Sequence, residues 1–397
     1  MKKRLDDYRD VVLDEVVDLI YEQAHKLSDK HVVHVNSTYE GGGVAEMLKS
    51  VVPLLNDAGV KTGWRILFGS YGFYKITKEF HNALQGDELT LSAEKKNRYE
   101  ELNANNSSFM HLDHDYVIIH DPQPLPLIRF VKKKQPWIWR AHIDLSNPNQ
   151  SLLSYLKKFI VMYDSIIVSR ESYMLPYDMH QAVIHPSIDP LTLKNRDMDE
   201  DRVSKLLGDF KITQDKPIIS QVSRFDRWKD PNGVIRVYDR VRKKIDCSLV
   251  LLGSTAFDDP EGEAIYHDVL NQVNEYEDVH VISQANDNLV NAVQRASSVV
   301  LQKSVREGFA LTVSEALWKE TPVVASNVGG IPLQVKDGFN GYLVEPTDYN
   351  KCAERVIKLL SDPRKAHKMG VNGRKYVKDN FLVTRHLLDW IKFLGEI

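Results

Sequence analysis

Residues 32–55 read VVHVNSTYEGGGVAEMLKSVVPLL, and the change of rhythm inside this stretch decides the fold. A β-branched run, Val32–Ser37, gives way at Glu40-Gly41-Gly42-Gly43 to a pattern in which Val44, Met47, Leu48, Val51 and Leu55 recur at helical spacing. Strand, glycine turn and amphipathic helix make the first half of a crossover unit, the connection that parallel strands require. Outward from it the alternation persists. Strand patterns follow at Thr62–Phe68, Tyr116–His120, Trp137–His142, Ser165–Val168 and Ala182–His185, then restart at Ile218–Val222, Ser248–Leu252, Val279–Ile282, Ser298–Leu301, Val323–Ser326 and Tyr342–Val344. The chain is therefore α/β with two consecutive Rossmann-like lobes.

Length agrees, because 397 residues exceed the roughly 250–300 at which a single hydrophobic core stops growing. The polar stretch Lys194–Asp201 marks a seam near Leu193, giving a first lobe at 1–193 and a second at 194–375. In the remaining segment, 376–397, a helix over Thr384–Glu396 carries Leu387, Leu388, Trp390, Ile391 and Leu394 on one face, and this face is expected to cross back onto the first lobe.

Composition narrows the class. Hydrophobic residues at 43% and charged residues at 27% are ordinary for a globular chain, and a net charge of −3 provides no field for holding a nucleic-acid backbone. Cys247 and Cys352, without a C-x-x-C pair, read as buried thiols of a reducing compartment. Residues 1–27 alternate acidic and apolar positions and so read as an amphipathic helix, not a signal peptide. No apolar run approaches the ~20 residues that span a bilayer, so neither membrane nor nucleic acid is an expected partner and the cytoplasm is the expected location.

Four segments can carry chemistry. Gly41, Gly42 and Gly43 let backbone amides approach an anion at a helix N-terminus, although a plain tight turn explains them equally well. Arg224 and Lys229 lie in Ser223–Pro231, directly after a strand, where a planar fork and a point charge suit a departing diphosphate; a solvated basic loop is the alternative. Glu307 and Glu315 flank Gly308, Phe309, Ala310 and Leu311, whose amides suit sugar and ribose ligands together with the carboxylates, while Thr312–Glu315 also fits a capping box. His120, Arg140, His142 and Asp144 stand at two strand ends of the first lobe and face, as acceptor ligands, the cleft expected between the lobes.

These segments together resemble glycosyltransferase family four, whose fold is GT-B, two Rossmann-like lobes with the active site in the interdomain cleft. The resemblance covers essentially the whole chain. Trp139–Ser146, Ser223–Pro231, Ser304–Lys319, Thr321–Val324 and Gly329–Gln334 are similar to the trehalose branch, which holds glucosyl-transferring trehalose synthases and retaining trehalose phosphorylases. Two positions depart from the wider family, with Leu333 where Glu is usual and Ala310 where Gly is frequent. The resemblance implies that Glu315 binds a nucleotide ribose and that Glu307, with the Phe309–Leu311 amides, binds donor glucose. It also implies that Arg224, Lys229 and the glycine-loop amides stabilise a leaving diphosphate and that His142 sits beside the reacting centre.

The expected reaction is NDP-glucose plus glucose giving trehalose plus NDP, reversibly and with the α configuration kept by front-face substitution. No cofactor is required by the sequence; a divalent cation travelling with the nucleotide and a homodimer are both left open. A trehalose phosphorylase using glucose 1-phosphate would employ the same residues, but this chain is short for one. A silent sugar-nucleotide-binding protein would have no need of leaving-group charges, and the acid/base carboxylates of a sugar-nucleotide epimerase are not recognisable.

Overall fold

The computed structural model describes residues 3–253 and 262–397. It divides into two compact units, one formed by residues 1–187 with 383–397 and the other by 188–382. Each is built on one six-stranded, all-parallel sheet.

In the first unit the strands are β1 (His31–Asn36), β2 (Lys61–Ile66), β3 (Tyr116–His120), β4 (Trp137–Arg140), β5 (Ser165–Val168) and β6 (His180–Val183). Their spatial order is β2-β1-β3-β4-β5-β6. In the second they are β7 (Ile218–Val222), β8 (Ser248–Gly253), β9 (Val279–Ser283), β10 (Ser297–Gln302), β11 (Val323–Ser326) and β12 (Gly341–Val344), ordered β12-β11-β10-β7-β8-β9. Strand order reverses direction between β1 and β3 in one sheet and between β7 and β10 in the other. Crossovers on either side of such a switch point diverge and leave a crevice at the carboxyl ends of the strands. The two crevices fall after Asn36 and His120, and after Val222 and Gln302.

Helices cover both faces, which is why the strands are nearly continuous apolar runs. Val33, Val35, Val117, Ile119, Trp137 and Trp139 pack on one face of the first sheet, and Val32, Ile118, Ile138 and Ile167 on the other. The latter face is shared with helix Asp14–His25 and the C-terminal helix Val383–Glu396, whose Leu387, Trp390, Ile391 and Leu394 are buried within the first unit.

The boundaries differ from those expected. The units exchange at Ser187/Ile188 and not after Leu193, because the polar stretch that looks like a linker is fastened into the second unit. Asn195 is buried, donates to Asp189 O at 3.1 Å, and accepts from Lys319 Nζ at 2.8 Å; Trp318 Nε1 donates to its carbonyl at 3.1 Å. The second exchange comes at Leu382/Val383 and not at residue 376, because Phe381 packs its ring against Phe309 and Tyr376. Among the described residues no helix is long and apolar enough to cross a membrane.

Candidate active site

The crevice of the first unit is made by the turn after β1 and the ends of β3 and β4. Gly41 takes φ +87°, a left-handed conformation that glycine adopts without strain. Gly42 is the N-cap of helix Gly43–Asp57, and no side chain caps it. The loop is exposed, so the first amides of this 15-residue helix are left for solvent or an anion.

Behind the loop lies a row of histidines. His34 sits mid-strand in β1 with its Nδ1 2.9 Å from His120 Nε2, and His120 Nδ1 is 2.8 Å from His142 Nε2. Burial holds all three rings neutral: His34 is pushed down to about 3, and His120 and His142 lie well below the usual imidazole range. His142 is fixed from its backbone as well, since its N–H donates to Asp121 Oδ1 at 2.8 Å. Asp121 itself takes φ +61°, and its carbonyl accepts from Trp139 Nε1 at 3.0 Å. Nearby His386, also held neutral by burial, accepts from Trp390 Nε1 at 3.0 Å and bonds His185 O through Nδ1 at 2.8 Å, which fixes its tautomer.

Two expected acceptor ligands have partners within the first unit. Arg140 is fully buried, donates from Nη2 to Ile184 O at 2.7 Å and Ser169 Oγ at 3.3 Å, and burial lowers it to about 9. It shapes the field around Asp121 and His142 and is not displayed at a surface. Asp144 caps a local turn by accepting from Ser146 N at 2.9 Å. The left-handed backbone of Asp121, invisible in composition, is what aims its carboxylate at the His142 amide.

Burial raises the Asp121 carboxyl to about 6, against the smaller opposing effects of the His142 amide and Arg140. A raised acid pKa means that the folded chain holds this proton longer than the unfolded one, so the group's contribution to stability falls as pH rises from about 4 to 6. Asp121→Asn should therefore gain stability relative to the parent, on the order of 2 kcal/mol, between pH 4 and pH 7. Urea midpoints at both pH values check this, and a constant difference would contradict it.

The crevice of the second unit joins the loops after β7 and β10. Val305 N donates to Trp228 O at 2.8 Å, and this backbone bond sets the two loops side by side. Lys229 Nζ then donates to Glu307 Oε2, which also accepts from Ser304 Oγ at 3.0 Å and Gln302 Nε2 at 3.4 Å. Asp226 organises the basic loop by accepting from Trp228 N at 2.8 Å, and its other oxygen lies 3.9 Å from Arg224 Nη2. Glu307 is 8% exposed and Arg224, in the loop after β7, is about one-third exposed, so the two loops hold a buried acceptor and an accessible cation.

The capping box expected over Thr312–Glu315 does not form. Helix Leu311–Trp318 starts earlier, with Ala310 as its N-cap and no side-chain cap; Thr312 Oγ1 instead donates to Gln302 Oε1 at 2.9 Å. Glu315 is thereby carried past the first turn, where it is 1% exposed and its Oε1 lies 3.8 Å from Lys194 Nζ. Ala310 takes φ +71°, a conformation costly for a residue with a Cβ. What holds it there is packing: Gln334 Nε2 donates to Phe309 O, and a Cβ on Gly330 would come within 2.6 Å of Gly308 O. The sequence does not single out Gln302, Ser304, Gln334 or Lys194 as site residues, because isolated polar residues carry no spacing signal. Among the described residues no cluster of three or more His, Cys, Asp or Glu is arranged to hold a metal ion.

Each switch point has its own set of polar groups. The first has anion-binding amides and a neutral imidazole; the second has cations for a phosphate, a buried carboxylate and uncapped helix amides. Comparison with known proteins shows the family. The family model "Trehalose synthase, N-terminal domain" matches residues 34–175, and "Glycosyl transferases group 1" matches 205–376. The chain is 46% identical to a trehalose synthase of Thermococcus litoralis over 99% of its own length and 97% of that protein. It is 29% identical to a trehalose phosphorylase of Pleurotus pulmonarius, over 98% of this chain but 60% of that one. Among solved structures, "Trehalose-6-phosphate from E. coli bound with UDP-2-fluoro glucose" superposes with a TM-score of 0.73 at 16% identity, covering 93% of this chain and 99% of that one.

Proposed function

This chain belongs to the trehalose synthase family of glycosyltransferases with the GT-B fold and is a hexosyltransferase, and we propose that it transfers glucose from an NDP-glucose to free glucose, forming trehalose reversibly. The observation that carries the donor half is the group at the β7/β10 switch point, where Lys229 and Glu307 are paired and Arg224 stands by. A diphosphate entering here meets a guanidinium fork and an ammonium whose carboxylate partner can turn to sugar hydroxyls. As the glycosidic bond to phosphate breaks, negative charge grows on the leaving oxygen, and Arg224 and Lys229 stabilise it most at that moment. Glu307 and the amides leading into helix Leu311–Trp318 hold the glucosyl hydroxyls, and Glu315 accepts from the ribose.

In the first unit the glycine-loop amides suit an anion at a helix N-terminus, and His142 suits a sugar hydroxyl. The leaving phosphate oxygen takes the proton of the incoming hydroxyl on the same face, so the α configuration is kept. With Arg224 and Lys229 providing the positive charge, turnover should change less than about twofold when a chelator removes divalent ions. A loss larger than tenfold that magnesium restores would show that a cation accompanies the nucleotide.

The deciding experiment supplies purified enzyme with ADP-, UDP- or GDP-glucose and glucose, and follows trehalose. The reverse direction separates this reading from phosphorolysis: trehalose with NDP should yield NDP-glucose, while trehalose with inorganic phosphate should yield no glucose 1-phosphate. The opposite pattern would transfer the pocket to phosphate.

A further inference from the structure

One residue joins two elements of the loop that carries Lys229. The short helical turn Arg227–Lys229 ends at Asp230, and the helix Pro231–Val241 starts from the same Asp230. To pass from one to the other, Asp230 takes φ +49° and ψ 54°, a left-handed conformation that disfavours any residue with a Cβ, aspartate less than most. Its side chain supplies the compensation. Oδ1 accepts from Gly233 N at 2.9 Å and so caps the helix, while Oδ2 accepts from Tyr349 Oη at 3.0 Å, a bond between residues 119 apart in the chain. A Cβ on Gly233 would stand 1.9 Å from Asp230 Oδ2 and 2.6 Å from the Tyr349 ring, so glycine keeps the seat of this carboxylate open. Tyr349 begins the helix Tyr349–Leu360, and its ring lies within cation–π reach of Arg236 at 5.6 Å and of Lys303 at 5.4 Å. The peptide after Lys229 is gripped from β7 as well. Gln221 Nε2 donates to Lys229 O at 3.1 Å, and Gln221 Oε1 accepts from Lys303 N at 3.3 Å.

We propose that Asp230 and Tyr349 are positioning residues for Lys229. The tyrosine hydroxyl holds the carboxylate, the carboxylate holds the left-handed turn, and the turn aims the Lys229 ammonium at Glu307. Neither residue touches a substrate in this role. The link to turnover rests on the proposed function, in which Lys229 meets the leaving diphosphate; the support of the turn does not.

A cycle of variants separates aim from packing. Glycine adopts the left-handed conformation unaided, whereas alanine neither adopts it freely nor caps the helix. Asp230→Ala should therefore lower turnover about tenfold, and Asp230→Gly should recover it to within about threefold of the parent. Tyr349→Phe removes only the hydroxyl. It should lower turnover about fivefold in the parent and less than about twofold in Asp230→Gly, where no carboxylate is left to hold. On top of Lys229→Ala, Asp230→Ala should add less than about twofold, because there is no ammonium to aim. Urea midpoints read the turn without any reaction: Tyr349→Phe should lower the midpoint of the parent and leave that of Asp230→Gly unchanged. Equal losses from Tyr349→Phe in both backgrounds, Asp230→Gly as poor as Asp230→Ala, or an undiminished Asp230→Ala loss on Lys229→Ala overturns the proposal. A parent that makes no trehalose from any NDP-glucose overturns the proposed function instead, and an uncoupled urea cycle would then still overturn the support by Tyr349.

Discussion

Arg224→Ala and Lys229→Ala should each lower turnover by roughly a hundredfold or more, because leaving-group charge develops mainly in the transition state. Their ground-state behaviour should differ. Arg224 is partly exposed and lies 3.9 Å from Asp226, so its removal costs donor affinity with little loss of stability. Lys229 is paired with Glu307, which is nearly buried; removing the lysine leaves that carboxylate without its cation and should destabilise the second unit measurably. Lys229→Ala combined with Glu307→Gln should then recover stability without recovering turnover. Steady-state kinetics, NDP titration and urea melts on the three proteins check this. Near-normal turnover in both single variants would return Arg224 and Lys229 to a solvated basic loop.

The second large effect separates the two glutamates. Glu307→Gln should depress turnover far more than it weakens free NDP, which lacks the sugar that Glu307 is proposed to hold. Glu315→Gln should weaken NDP itself by about 1–3 kcal/mol, the scale of a hydrogen bond to a charged group. With Ala310 as N-cap and Thr312 bonded to Gln302, a capping loss no longer competes as an explanation for Glu315. A structural alternative does remain in its approach to Lys194. It predicts that Lys194→Met and Glu315→Gln lower the melting temperature alike and leave NDP affinity alone. Calorimetric titration of NDP against both variants decides, and unchanged affinity in Glu315→Gln would retire the ribose assignment.

Local pattern was enough to give the architecture. Most of the twelve parallel strands among the described residues are legible because the inner ones are short β-branched or apolar runs buried on both faces, and because glycine turns such as Gly41–Gly43 and amphipathic helices such as Gly43–Asp57 are encoded within about twenty residues. The stripe Leu387, Trp390, Ile391, Leu394 likewise shows that the last helix must bury one face, since that requirement is local. Candidate residues next to strand ends are visible for the same reason: in an open α/β sheet the position itself carries the information.

Tertiary structure alone decided which groups meet and in what state. That Lys229 pairs with Glu307 depends on a backbone bond between two loops 77 residues apart, Trp228 to Val305, which no window of sequence contains. The start of helix Leu311–Trp318 is set by Gln334 and Gly330 holding residues 308–310, and so overrides the capping pattern of Thr312–Glu315. Asn195 turns a polar stretch that reads as a linker into part of the second unit. His34, in a strand that alternation marks as core, becomes the end of a three-ring chain because β1 and β3 are neighbours in space although 80 residues separate them. Propensity and periodicity are properties of neighbours along the chain, whereas pairing, protonation and tautomer are properties of neighbours in space.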